Sequence, residues 1–253
     1  MTPARAPSRH CATMGRTVRR VLVLDVESRL SREAMASLPG GGGATIGRRY
    51  LQEIAAVSLL GFEAGEGGLG DFRLESALAD EDGERSLLAL IESRLAELGG
   101  TGLLVTHNGV AHDMPLCLRR CLSRWMFGCS EIARWATAGR ERHVDTLLRC
   151  GGARGEKSGP ALVDLCASLG VPAGLPPASR LRAVDPRIAK GAVDVAATAL
   201  VWLHLEAMDR SNAVWLARCW SNLSAFLLSP GVRADHLMPI ARRGLEVAAA
   251  IGV

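Results

Sequence analysis

Lysine is nearly missing from this 253-residue chain: Lys157 and Lys190 stand alone among 30 basic residues, the rest being arginine. That skew is a choice of basic residue and is not read as phosphate recognition. A paired CxxC is also missing. The seven cysteines, Cys11, Cys117, Cys121, Cys129, Cys150, Cys166 and Cys219, are odd in number and scattered, which excludes a zinc ribbon and argues against a disulfide framework. A reducing, cytoplasmic setting is expected. No run approaches the roughly eighteen uninterrupted apolar residues of a membrane span; the richest, Val195 to Leu203, follows Asp194 directly, and no membrane partner is expected. Pro39 to Ala44 (PGGGGA) lacks the Gly-Lys-Ser/Thr that would make it a phosphate-binding loop. Acid is absent from residues 1–24, which hold five arginines. Setting these aside leaves 25 basic against 26 acidic residues, so the net charge of +4 belongs to the amino end. Residues 1–19 have no long apolar core of a secretory signal and are expected to form a basic, disordered arm.

The remainder, 48% hydrophobic and 22% charged over the whole chain, has the composition of a globular protein. Arg20 to Glu27 (RVLVLDVE) is a continuous apolar run turning to alternating carboxylates, the pattern of a buried strand emerging at a sheet edge. Strands are expected at 53–62 and 70–75 around a glycine-rich turn, then a helix carrying Leu87, Leu88, Ile91, Leu95 and Leu98, with Asp80 and Asp82 near its start. A strand at 102–106 runs into the turn His107-Asn108-Gly109, and a helix is expected over 113–127. Short segments follow at 143–148 and 161–169, then a long helix at about 187–208. Two or three helices are expected in 211–253, packed by Trp215, Trp220 and Phe226. The order predicts an α/β domain with a mixed sheet.

Asp25 and Glu27 are two apart on a strand, so both side chains project from one face. Such a pair can hold a divalent cation. Asp113 follows the Asn108-Gly109 turn at a helix start. Asp194 stands in an apolar helical stretch, GAVDVAATALVWL, where a lone carboxylate is costly unless paired or coordinating. Four acids from three segments could converge on one hard-cation site.

LVLDVES and THNGVAHDMPLCLRR resemble the first two motifs of the DEDD 3′–5′ exonucleases, the DnaQ-like group on the RNase H-like fold. The sequence is most similar to the bacterial branch related to the proofreading domain of family B DNA polymerases. HVDTLL at 143–148, ALVDLCASLGVP at 161–172 and KGAVDVAATALVWL at 190–203 follow in the order of that branch. The resemblance covers residues 20–208 and implies an RNase H-like mixed sheet flanked by helices, with residues 209–253 as a helical carboxy-terminal extension. It implies that Asp25, Glu27, Asp113 and Asp194 bind two Mg²⁺ or Mn²⁺ ions for phosphodiester hydrolysis from a 3′ end. The implied partner is single-stranded nucleic acid, DNA ahead of RNA. Ser28 falls where the family contacts the terminal nucleotide, and Asn108 where it shapes the second-motif turn.

The third motif departs from the family. A tyrosine four residues before the last aspartate, or a histidine five before it, is replaced by Lys190 and Ala189, and the phenylalanine preceding Asp113 is His112. Three consequences stay open: Lys190 could serve the attacking water, His112 or His107 could substitute, or the protein could be a nucleic-acid-binding or protein-interaction module with a weak or inactive site. His143 and Asp145 read as structural, Cys117 and Cys121 as core, and Arg119 and Arg120 as possible phosphate contacts.

Overall fold

The computed structural model describes residues 18–36, 48–79, 83–139, 141–151, 160–175, 184–232 and 234–253. The arm up to residue 17, the glycine-rich loop at 39–44, Asp80, Asp82 and Lys157 lie outside them.

Five strands form one mixed sheet in the order β3-β2-β1-β4-β5. β1 (Arg19–Leu30), β2 (Gln52–Gly65) and β3 (Gly68–Leu78) are an antiparallel meander, and β4 (Leu103–Thr106) and β5 (His143–Asp145) run parallel to β1. This is the α/β architecture expected, with a sheet order consistent with an RNase H-like core. The central strand is buried on both faces because its apolar residues alternate between two cores. Val21 and Val23 join Leu60, Val195 and Leu200 on one side. Leu22, Leu24 and Val26 join Leu88, Ile91 and Met114 on the other.

The second core is closed by α2 (Glu84–Glu97), α3 (Asp113–Ser123) and α4 (Ser130–Ala136). Within it Arg120 donates to both carboxylate oxygens of Glu84 at 2.8 Å, and Glu84 also accepts from the Ile54 amide at 2.7 Å. Arg120 is therefore a buried structural cation and not a phosphate contact. Arg119 lies over the Tyr50 ring instead, 5.3 Å from its centre.

The first core is covered by α7 (Pro186–Arg210), which begins with Asp185 accepting from the Arg187 amide and Pro186 in the first turn. Its composition meets the length and hydropathy of a membrane span, yet 72% of its apolar window is buried inside the fold. α7 is a core helix, and a truncation such as Leu200→Ala costs about 2–5 kcal/mol at a site this buried. Gly191 permits its close approach to the sheet, since a Cβ there would stand 2.3 Å from Ser58 Oγ.

The tail supplies α8 (Ala213–Leu227) and α9 (Met238–Ile251). α8 is fixed to the β2–β3 hairpin by Trp215 Nε1 donating to the Gly65 carbonyl at 2.9 Å, by Asn222 Oδ1 accepting from the Leu69 amide, and by Phe226 stacked on Phe72. Trp202, Trp215 and Trp220 are buried packing residues, and Cys117 and Cys121 are core.

Several boundaries differ from the sequence reading. Residues 113–127 are not one helix: α3 ends at Ser123, where Trp125 adopts a left-handed φ of 56° and the Met126 amide bonds back to the Cys121 carbonyl at 2.9 Å. That is a Schellman-type ending with tryptophan where glycine is usual. α4, α1 (Arg32–Ala36) and a 3₁₀ turn at Arg48–Leu51 are additional. The 143–148 segment divides into β5 and α5 (Thr146–Arg149), and the 161–169 helix is α6 (Leu162–Ser168).

Candidate functional site

The carboxyl ends of β1, β4 and β5 reach the same edge of the sheet, where α7 crosses it. Asp25 continues the face that carries Val21 and Val23 beneath α7, and Glu27 continues it two residues later. A register shift between Glu27 and Ser28 then breaks the β1–β2 ladder. Asp194 descends from α7 toward the same face. Ligand oxygens of Asp25, Glu27 and Asp194 lie within 4.8 Å of one another. Asp113, at the first turn of α3, lines the same open cavity of about 340 Å³ together with His107, Asn108, His112, Leu162 and Lys190. Ser28, one residue past the register shift, does not line it.

The turn that delivers Asp113 is held by Asp145. Its carboxylate accepts from the Asn108 amide at 2.9 Å, the Val110 amide at 3.0 Å and the Leu147 amide at 3.1 Å. Asn108 itself adopts φ 67°, a left-handed conformation that asparagine tolerates better than most residues. Its carbonyl accepts from the amides of Ala111 and His112. A side chain at Gly109 would stand 2.4 Å from Thr106, so this glycine is a steric requirement of the turn. The neighbouring His143 is buried against Thr106 Oγ1 at 3.0 Å, and burial lowers its pKa to about 4. The structural reading of His143 and Asp145 stands, but Asp145 proves to be the fastener of the site's second wall.

The carboxylates are electrostatically crowded. Burial, then the charges of Asp113 and Asp194, raise Asp25 well above the ordinary carboxylate range, while Lys190 pulls it down. Asp113 is raised by burial against a hydrogen bond from His112 Nδ1 at 2.9 Å. Asp194 is raised by burial against Lys190. Asp25 Oδ2 is buried without a hydrogen-bond partner. An orphaned, desolvated carboxylate oxygen among oxygen-only donors fits a hard divalent cation such as Mg²⁺ or Mn²⁺.

Lys190 is bound into the carboxylate cluster. Its Nζ donates to Glu27 Oε1 and, at 2.7 Å, to Asp194 Oδ2, one helical turn along α7. Partial burial opposes its charge, but the hydrogen bonds it donates to Asp194 and Glu27 win and raise its pKa. His112 makes polar contacts through both ring nitrogens: Nδ1 engages Asp113, Nε2 engages Gln52 Oε1 at 3.2 Å, and the hydrogen bond to Asp113 raises its pKa. His107 is lowered by burial and bonds Thr146 Oγ1 at 2.9 Å. Sequence reading missed the Gln52 contact, the Leu162 wall and the Asp145 clamp; the Lys190–Asp194 spacing of four was the available sign of their pairing.

A larger cleft of about 520 Å³ lies at the opposite end of β1 around Arg20, Glu63, Arg73, Glu75 and Arg94. Its arginines are matched by acids, with Arg94 to Glu75 at 2.6 Å and Arg73 to Glu75 at 2.7 Å.

No protein-family description matches the chain, and no curated protein matches it. Among solved structures it is similar to the family B DNA polymerase of the hyperthermophilic archaeon Pyrobaculum calidifontis, at 14% identity and a TM-score of 0.41. The match covers 92% of this chain and 28% of the polymerase chain.

Proposed function

We propose that the chain is a metal-dependent 3′–5′ exonuclease acting on single-stranded nucleic acid, DNA ahead of RNA. The observation that carries this reading is the gathering of Asp25, Glu27, Asp113 and Asp194 around one open cavity, with Asp25 Oδ2 buried and unpartnered. The motif order of the DEDD exonucleases along residues 20–208 supports the same assignment.

In this reading Asp25, Glu27, Asp113 and Asp194 hold the cation, and Asn108 flanks the terminal nucleotide. Mg²⁺ or Mn²⁺ held there would lower the pKa of water and stabilise charge on the phosphate and leaving oxygen. The water oxygen forms a bond to phosphorus as the bond to the preceding 3′ oxygen breaks. The attacking water gives up a proton to bulk solvent, the leaving 3′ oxygen takes one up from solvent, and a nucleoside 5′-monophosphate departs. In this reading Lys190, paired with Glu27 and Asp194, serves the phosphate as a hydrogen-bond donor. His112 keeps Asp113 aligned through Nδ1.

A second reading, a nucleic-acid-binding or protein-interaction module with a weak or silent site, is favoured by one observation: Lys190 and both ring nitrogens of His112 are engaged in hydrogen bonds. A gel assay separates the two. With 5′-labelled single-stranded DNA and RNA, exonuclease action yields a ladder shortening from the 3′ end in Mg²⁺ or Mn²⁺, absent in EDTA and in Asp25→Ala. Binding without shortening under every metal condition would overturn the enzyme assignment.

A further inference from the structure

We infer that Lys190 occupies the place of one of two cations, so that the carboxylate site takes a single divalent ion. The inference rests on the metal-site reading proposed above and departs from the two ions that the family resemblance implies.

Three carboxylates lie close enough to share a cation, and two of them, Glu27 and Asp194, already share one: the Lys190 ammonium contacts both. This cation is covalently tethered. Lys190 and Asp194 are one turn apart on α7, so the pairing costs little chain entropy, and a divalent ion seeking Glu27 and Asp194 together must first expel it. The fourth carboxylate, Asp113, accepts from His112 Nδ1 at 2.9 Å. Only Asp25 retains a buried oxygen with no donor facing it. The site is therefore divided: one side is satisfied by a fixed ammonium, the other is left for an external ion.

The division has a chemical consequence. An ammonium carries three N–H donors, and two are directed at Glu27 and Asp194. The third remains for a non-bridging phosphate oxygen, so that Lys190 performs by hydrogen bonding the charge neutralisation a second ion would perform by coordination.

Counting bound Mn²⁺ tests this without reference to turnover. Titration calorimetry, checked by electron paramagnetic resonance of free Mn²⁺, should give one equivalent for the full chain, one for Lys190→Arg, and two for both Lys190→Met and Lys190→Gln. Two equivalents in the unmodified chain would overturn the inference while leaving the metal site standing. One equivalent in the Met and Gln variants would do the same. No Mn²⁺ bound by any variant would overturn the metal-site reading itself, and the inference with it.

Discussion

Removing the Asp145 carboxylate should unfasten the second wall of the site without touching any candidate metal ligand. In Asp145→Asn one oxygen remains for the Asn108 and Leu147 amides, but an NH₂ group then faces the Val110 amide, which the wild-type Oδ2 accepts at 3.0 Å. Asp145 is buried, so the orphaned donor finds no water. Hydrogen bonds to a charged group contribute about 1.5–3 kcal/mol each, and stranding a buried donor adds a desolvation cost. We expect Asp145→Asn to lose about 2–3 kcal/mol and Asp145→Ala, which strips all three, about 3–5 kcal/mol. Urea unfolding followed by circular dichroism measures both, as a midpoint shift of roughly 1 M or more at unchanged slope. Because Asp113 follows Asn108 by five residues, Mn²⁺ affinity should fall in Asp145→Asn as well. Stabilities within about 0.5 kcal/mol of wild type for both variants would refute the clamp.

His143 gives a pH signature. Its folded pKa of about 4 lies below the ordinary 6.5, so the unfolded chain takes up a proton first; the neutral, buried ring is fully tolerated above pH 6.5, and stability is lost as pH falls from there toward 4. Between pH 7.5 and 5 the His143 contribution should fall by about 2 kcal/mol, read by urea unfolding as the difference between wild type and His143→Gln, because the raised carboxylates act in the opposite direction. Asp25→Asn should stabilise the metal-free protein, since an acid whose folded pKa is raised destabilises the fold once pH exceeds its unfolded value. Calorimetric melting in EDTA would show the gain, and Mn²⁺ should reverse the order by stabilising only the wild type; a lower melting temperature in EDTA for Asp25→Asn would contradict the crowding of the carboxylates. Gly109→Ala should cost about 1–3 kcal/mol through the contact with Thr106 at 2.4 Å, measurable by the same urea series, and an unchanged midpoint would show that the turn relaxes.

The elements read well from the sequence were those whose signal is local. The unbroken apolar run of β1, its period of two placing Asp25 and Glu27 together, and the length of α7 with Asp194 among small residues all follow from residue pattern. What escaped depends on partners distant in the chain. Arg120 looks like any exposed arginine after the second motif until Glu84, 36 residues earlier, is found bonded to it in the core. The stop after Ser123 has no glycine or proline at the turning residue, because Trp125 takes the left-handed conformation itself. Asp145 closes a triangle of amides from two segments, which no motif spacing encodes. Lys190 was visible as a departure from the family, but its salt bridges to Glu27, 163 residues away, were not.

β5 is only three residues long and, at the end of the sheet order, pairs with β4 alone. Such an edge opens by local fluctuation far more often than β1, which is paired on both sides and buried in two cores. Each opening carries Asp145 away and frees the Asn108, Val110 and Leu147 amides together. The lifetime of a shaped site is then governed by the least cooperative strand of the sheet, so amide exchange at Asn108 and Val110 should keep pace with β5 and outrun the slow exchange of β1 by orders of magnitude.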